Sequence, residues 1–402
     1  MSRINLCSKV SPLAASLAFA FLAAVPAASY SASATVSIIS PSTLTSSGIS
    51  PNSPLLTDTQ GNLYGSLEFG DTSTSYGSLF SLAPNGSVTT IHGFDTAQGA
   101  PEGAMVRTDD GTIYGVTMDV TNGQGFYGSG SIFSLAPDGT YSVLHDFSPA
   151  GSANTDGVDP LGLTLGSDGA LYGATQSGGS GNAGTIFRIT TTGQFSVLYA
   201  FNPQSNAGTS PCPVILSSDG NLYGTTNAGE VTVFRLTLQG KLTTLHRFVG
   251  KQAVGNCASV IQGSDGNFYG TTFEGSASGL QDKGGTIYKM TPSGKVTFLH
   301  TFSSGDPNSD GAFPVGLIQA KDGNLYGVTQ IGGEAGAGSL FQMTTSGTFT
   351  NLYSFPTTAF GYPIANLVQG IDGALYGTTN GFTIEFGSEI FAPTVFKAVI
   401  NP

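Results

Sequence analysis

The chain has 402 residues, of which 58 are glycine and only 9% are charged, and it contains no tryptophan. Its formal net charge is −12, a field that repels phosphate backbones and excludes nucleic acid as a partner. A hydrophobic fraction of 39% with regularly spaced aromatic residues excludes a disordered chain and calls for a packed core.

Residues 1–34 read as a signal peptide and 35–402 as one domain. Arg3 and Lys9 come first, an apolar run over 13–25 follows that is too short to span a bilayer, and small residues close the segment. Ala32-Ser33-Ala34 offers a cleavage site ahead of Thr35, with Ala27-Ala28-Ser29 as the alternative. Cys7 precedes the apolar run, the wrong side for lipid attachment. No second apolar stretch occurs, so the mature chain is expected to have no membrane span. Losing Arg3 and Lys9 and no acidic residue leaves eleven Lys and Arg against 25 Asp and Glu, a net charge of −14. The expectation is export, to the periplasm, the cell surface or the medium.

From residue 35 onward one pentapeptide organises the chain. It reads GNLYG at 61–65, GTIYG at 111–115, GALYG at 169–173, GNLYG at 220–224, GNFYG at 266–270, GNLYG at 323–327 and GALYG at 373–377. The tyrosines Tyr64, Tyr114, Tyr172, Tyr223, Tyr269, Tyr326 and Tyr376 lie 50, 58, 51, 46, 57 and 50 residues apart. A period of that size is the signature of a repeat architecture. Each copy carries two hairpin signals. An apolar run leads through Asp-Gly into the pentapeptide, with Gln60-Gly61 in the first copy. Asp-Gly predicts a two-residue turn with positive φ at both residues. A second pair of runs, such as GTIFRI and FSVLYAF over 184–201, is joined through a Gly-containing segment and ends on Phe.

Four short strands per copy, without helical periodicity, predict an all-β fold. The specific expectation is a seven-bladed β-propeller with four antiparallel strands per blade. Because every blade is covered on both faces, the glycine after each Tyr is expected to make room for a neighbouring backbone. Each Tyr reads as core, its hydroxyl reaching a backbone partner. The last copy has a third-strand candidate, TVFKAV (394–399), and no fourth, while TVSIIS (35–40) precedes the first copy. The N-terminal strand is therefore expected to close the ring. The competing register takes EIF (389–391) as third strand and VFKAVI (395–400) as fourth.

The stretches GTTNAGEVTVFRLT (224–237) and GNLYGVTQIGGEAGAGSLFQM (323–343) resemble the exported tandem-repeat family of GloVer repeats. The resemblance spans 35–402 and implies a propeller-like fold and export. It supplies no catalytic residue, and the sorting tail that gives the family its other label, "choice-of-anchor", is not seen here.

His92, His145, His246 and His300 share one slot, two residues before the closing Phe, and read as packing residues on an outer strand. Gly179-Ser180-Gly181-Asn182-Ala183-Gly184 fits a dinucleotide fingerprint on paper, but it sits between strands with no helix to hold a pyrophosphate. The connections from second to third strand, and from fourth strand to the next copy, are long and variable, which is where binding concentrates. They carry Glu102, Asp119, Asp156, Asp159, Glu274, Asp306, Asp310 and Glu334. Asp306-x-Asn308-x-Asp310-Gly311 matches the opening of a calcium loop, although the twelfth position is Leu317. The alternative is that these residues form turns. Ca²⁺ at Asp306, Asn308 and Asp310 is the cofactor to be considered, and no other is expected. Cys212 and Cys257, near-equivalent in adjacent copies, are expected to form a disulfide in an oxidising compartment. The function expected is non-catalytic binding of an extracellular carbohydrate or protein by a monomer, with Asp119, Asp156, Asp159, Glu274, Asp306, Asn308 and Asp310 on the binding face. The alternatives are a polysaccharide hydrolase or lyase using loop carboxylates and a structural coat or adhesion component.

Overall fold

A computed structural model describes residues 32–39, 50–51, 53–68, 76–118, 129–149, 154–228, 231–250, 252, 260–277, 283–303, 310–357, 362–380, 382–383, 390–391 and 393–401. Among them all regular structure is β-strand, and no helix is long and apolar enough to cross a membrane.

Every copy of the pentapeptide opens the second strand of a four-stranded antiparallel unit. In the third unit the strands are Val158–Leu165, Leu171–Ser177, Thr185–Ile189 and Phe195–Ala200, paired in that order. The sixth repeats the scheme with Ala312–Gln319, Leu325–Ile331, Gly336–Met343 and Phe349–Pro356. A single parallel pair, Gly162 with Ala104, joins the second and third units. In the last unit Leu375–Thr379 pairs with Thr394–Asn401, which pairs in turn with Ser33–Ile38. The N-terminal strand thus supplies the fourth strand of the last sheet, and EIF does not serve as its third. It begins at Ser33, two residues before the expected start, with Ser33 opposite Asn401 and Ala34 opposite Ile400.

Burial explains the order of the strands. Leu171 to Thr175 are buried without a break, whereas the outer strand Phe195–Ala200 is half exposed. A strand covered on both faces cannot alternate apolar with polar, and these do not. The core lies between units. Tyr269, Ile287 and Phe302 of the fifth pack with Leu317, Leu325, Phe341 and Met343 of the sixth. Leu55, Leu63 and Phe80 of the first unit pack with Val395 of the last, with Val368 and Tyr376 alongside.

Two expectations are corrected. The Asp-Gly turns are not two-residue turns. Gly169 donates its N–H to Gly166 O at 3.0 Å, Gly166 donates to Ala170 O at 2.7 Å, and Gly169 alone takes positive φ, 74°. This is a three-residue loop, a β-turn followed by one left-handed residue. It prevails because the Asp carboxylate accepts the N–H just past the turn, Ala170 to Asp168 Oδ1 at 3.1 Å. The glycine after each Tyr, in turn, is matched mainly to an aromatic ring. Gly327 lies opposite Phe341 in register, and a Cβ there would stand 2.5 Å from Phe341 Cζ and 2.5 Å from Gly316 O. Gly65, Gly115, Gly224 and Gly377 face Phe80, Phe133, Phe234 and Phe396 in the same way. A third-strand ring laid across a glycine restores the burial that the missing side chain forgoes.

Candidate functional site

Antiparallel order places the turns from first to second strand and from third to fourth at one end of every sheet. The other connections lie at the opposite end. The two are called here the turn end and the loop end.

At the turn end the Asp of the third to seventh units works with both oxygens: Oδ1 caps the turn, while Oδ2 accepts the Tyr hydroxyl. Asp110 of the second unit accepts instead from Thr108 and Thr112. Tyr172 donates to Asp168 at 2.9 Å, Tyr223 to Asp219 at 2.9 Å, Tyr269 to Asp265 at 2.8 Å, Tyr326 to Asp322 at 2.7 Å and Tyr376 to Asp372 at 2.8 Å. The partner is therefore a carboxylate and not the backbone oxygen expected from the sequence. The first unit, which has Gln60 at the Asp position, recruits Asp58: it takes Tyr64 OH at 3.0 Å and the Asn62 N–H at 2.9 Å. A cation often completes the set from the third-strand position opposite Tyr. Arg188 reaches Asp168 at 2.8 Å, Lys289 reaches Asp265 at 2.8 Å and Lys397 reaches Asp372 at 2.7 Å. Burial opposes ionisation of Asp265, yet the bonds from Lys289, Asn267 and Tyr269 hold its carboxyl far below the usual range. Burial, and then the Asp322 carboxylate, push the Tyr326 hydroxyl up to about 12. Their partners shift the same way, Tyr269 up and Asp322 down, so neither Asp–Tyr pair changes protonation near neutrality and each is a fastener and not an acid–base couple.

Glutamines stitch adjacent units at this same end. Gln319 Oε1 accepts the Ser264 N–H of the preceding turn at 2.7 Å while its Nε2 donates to Gly323 O at 2.8 Å. Gln369 does the same with Lys321 N at 2.9 Å and Gly373 O at 3.0 Å. The sequence signal for both devices was a fixed offset: Tyr four residues after Asp, Gln three before it.

The loop end holds the carboxylates singled out in the sequence. Asp156 Oδ2 accepts the Ser148 N–H at 3.1 Å and lies 3.2 Å from His145 Nε2. Its carbonyl accepts Thr185 Oγ1 at 2.9 Å, and its buried Oδ1 has no partner. Asp310 is built alike: its carboxylate pairs with His300, and its carbonyl accepts Ser339 Oγ at 2.6 Å. Both side chains thus link the outer strand of one unit to the lead-in loop of the next. The histidines behave as packing residues. His145 stacks on Phe195 of the following unit at 3.8 Å, His300 on Phe349 at 4.0 Å and His92 on Tyr141 at 4.7 Å.

Asp159 is different. It sits at φ 58°, just before Pro160; Ser210 at 53° and Phe313 at 60° hold the same place before Pro211 and Pro314. A non-glycine residue in this region is strained, and three units repeat it with three unlike side chains. Burial pushes the Asp159 carboxyl up, against a hydrogen bond from Ser177 at 3.3 Å. Phe313 stacks on Phe273 at 4.9 Å. Glu274 and Glu334 are exposed, and Glu102 is half-buried. Asp119, Asp306, Asn308 and Cys257 lie outside the described residues; Cys212 is buried and disulfide-bonded. Among the described residues no three His, Cys, Asp or Glu gather as a metal-binding group. The Gly179 to Gly184 stretch joins two strands, as a dinucleotide fingerprint would not.

Repeated four-stranded antiparallel units, fastened alike and packed face to face, define a β-propeller-like repeat protein. Residues 28–231 and 227–398 match the Gloeobacter/Verrucomicrobia repeat; the chain belongs to that family, the one its GTTNAGEVTVFRLT stretch resembles. No curated protein matches it in sequence. The fold is similar to the extracellular domain of a protein of B. thetaiotaomicron described as a hybrid two-component system, with TM-score 0.57, 12% identity and 91% of this chain covered. This chain spans only 40% of that domain's chain, and at such identity the likeness shows the fold alone. Weaker likenesses reach a PQQ-bound aldose sugar dehydrogenase of Streptomyces coelicolor, with TM-score 0.46, 13% identity and 92% and 98% of the two chains covered. A protein of Bacteroides uniformis described as a 6-phosphogluconolactonase gives TM-score 0.49, 17% identity and coverage of 75% and 84%.

Proposed function

We propose that the units close into a seven-bladed propeller, exported and monomeric, that binds an extracellular carbohydrate or protein at its loop end. The packing of the first unit's Leu63 and Phe80 against Val395 of the last supports closure. Export agrees with the charged and apolar start of the chain. Of the two cleavage sites, the one at Ala27-Ala28-Ser29 leaves Ser33–Ile38 whole; cleavage after Ala34 would remove two paired residues.

The observation that carries the binding reading is the residue before proline. One strained backbone state is kept at Asp159, Ser210 and Phe313 while the side chain changes from carboxylate to hydroxyl to aromatic ring. A scaffold that fixes a pose and varies the chemistry there is suited to recognition. Asp156 and Asp310 serve as links between units in this reading. Calcium at Asp306, Asn308 and Asp310 would share the Asp310 carboxylate with His300.

A glycan and protein array tests the reading, run with calcium and with chelator, on the wild type and on Asp159→Asn, Phe313→Ala and Glu274→Gln. The expected result is selective binding that falls about tenfold in at least one variant, the effect of removing one charge-assisted hydrogen bond or one stacked ring. Binding unchanged in all three would remove the loop-end site. Release of products, abolished by Asp159→Asn, would instead make the protein an enzyme.

A further inference from the structure

A cleft of about 410 Å³ opens at the turn end between the sixth and last units, away from the site proposed above. Its origin is topological. Elsewhere a tight third-to-fourth turn lies against the outer strand of the preceding unit; a Cβ at Gly240 would stand 2.6 Å from Leu198 O. In the last unit those two strands are Thr394–Asn401 and Ser33–Ile38, from opposite parts of the sequence, so no such turn fills the space. Ala320, Leu375 and Ile400 supply apolar wall, and Asp322, Tyr326 and Gln342 line the same cleft.

The chemistry of this wall is read from its sister units. In the fifth, Lys289 opposite Tyr269 puts its ammonium 2.8 Å from Asp265 Oδ2 and 5.3 Å from the Tyr269 ring centroid. In the last, Lys397 stands 2.7 Å from Asp372 and 5.7 Å from the Tyr376 ring. The position opposite Tyr326 is Gln342, which donates to the Tyr326 hydroxyl at 2.7 Å and carries no charge. Asp322 accepts from Tyr326 and Asn324, and among the described residues it forms no ion pair; Lys321 beside it uses its backbone N–H on Gln369. The sixth unit therefore holds the carboxylate and the ring of an ammonium site without the ammonium.

We propose that this cleft binds a small organic amine, its primary ammonium taking the place on Asp322 and Tyr326 that Lys289 takes on Asp265 and Tyr269, with a short apolar body against Ala320, Leu375 and Ile400. The volume lies within the range of small-ligand sites. A carboxylate and an aromatic face together favour a compact cation. The amine is a free small molecule; Ala32, just before the Ser33–Ile38 strand, and Asn401 also line the cleft.

The test titrates n-butylammonium chloride into the full chain by calorimetry and by thermal melting, with tetramethylammonium chloride and n-butanol as controls at matched ionic strength. Saturable binding of n-butylammonium is expected, with neither control competing. Gln342→Lys, which rebuilds the fastener of the fifth unit, should keep the wild-type melting temperature or raise it. The same change should weaken binding about tenfold or more, because the new ammonium occupies the carboxylate that the ligand needs. Absence of saturable binding, an equal response to tetramethylammonium, or undiminished binding in Gln342→Lys would each overturn the proposal. A failed glycan or protein screen leaves it untouched, because the two sites lie at opposite ends of the strands.

Discussion

At the turn end, Asp168, Asp219, Asp265, Asp322 and Asp372 each hold a Tyr hydroxyl within 2.9 Å. At the loop end, one backbone state carries Asp159, Ser210 and Phe313 in turn. The first region repeats side chains as well as conformation, and the second repeats conformation alone. Copies within one chain share a fold problem but need not share a ligand. What recurs from copy to copy is therefore there for assembly, and what varies on a fixed frame is available for recognition. The fifth and sixth units differ inside this region: Lys289 and Gln342 occupy one position, and Gln342 lines an open cleft.

The contrast between the ends breaks most visibly if the fastening is removed at the junction of the chain. Deleting residues 33–38 strips the outer strand from Thr394–Asn401 and exposes an unpaired sheet edge. The expected outcome is a larger loss of stability than any single substitution gives, with reduced cooperativity, seen by circular dichroism in urea. Retention of the wild-type midpoint would mean that the last sheet does not depend on this strand.

Next in size, Gly327→Ala should destabilise by about 1–3 kcal/mol, the usual range for an overpacked core. The added methyl meets Phe341 and the Gly316 carbonyl. An equivalent change at Gly250, where a Cβ meets nothing within 4 Å but φ is 62°, carries only the backbone strain and should cost less. Equal losses at the two sites would show that the ring across Gly327 is not the constraint.

The smallest effect separates the two ends by pH. The turn-end carboxyls are held below their ordinary value of 3.8 and bind fewer protons folded than unfolded, so their contribution is present above that value and is lost as pH falls further. Tyr223 and Tyr326 are raised to about 12 from 10, so their contribution is complete below pH 10 and declines as pH rises toward 12. On the outer strands near the loop end, burial lowers His92 and His246 from 6.5, and their Nε2 atoms lack partners. Their contribution is present above pH 6.5 and is lost as pH falls through their lowered values. Melting curves should therefore show a shallow decline just below pH 6.5, removed by His92→Phe with His246→Phe, and separate declines at the two extremes that survive in that variant. A decline near pH 6 that persists in the double variant would place its source elsewhere.

The repeat, the strand content and the pairing of Ser33–Ile38 with the last sheet were legible in the sequence, because hydrophobic runs, Asp-Gly turns and a period near 50 are local or simply periodic. The family followed from the same residues. The partner of each Tyr was not legible: the Asp sits in the hairpin turn and the Tyr on the strand that leaves it, and only the fold brings Oδ2 to the hydroxyl. Nor was the substitute in the first unit, where Asp58 reaches Tyr64 from two residues further upstream. Asp156 and Asp310 looked like free rim carboxylates, and the tertiary structure gave them to His145 and His300, residues of the preceding unit. The cleft at Asp322 depends on a turn that is missing between strands nearly the whole chain apart. Sequence determines what each copy must contain; which copies meet, and what is left unpaired where they meet, is decided by packing between units, because those contacts join residues that no local pattern relates.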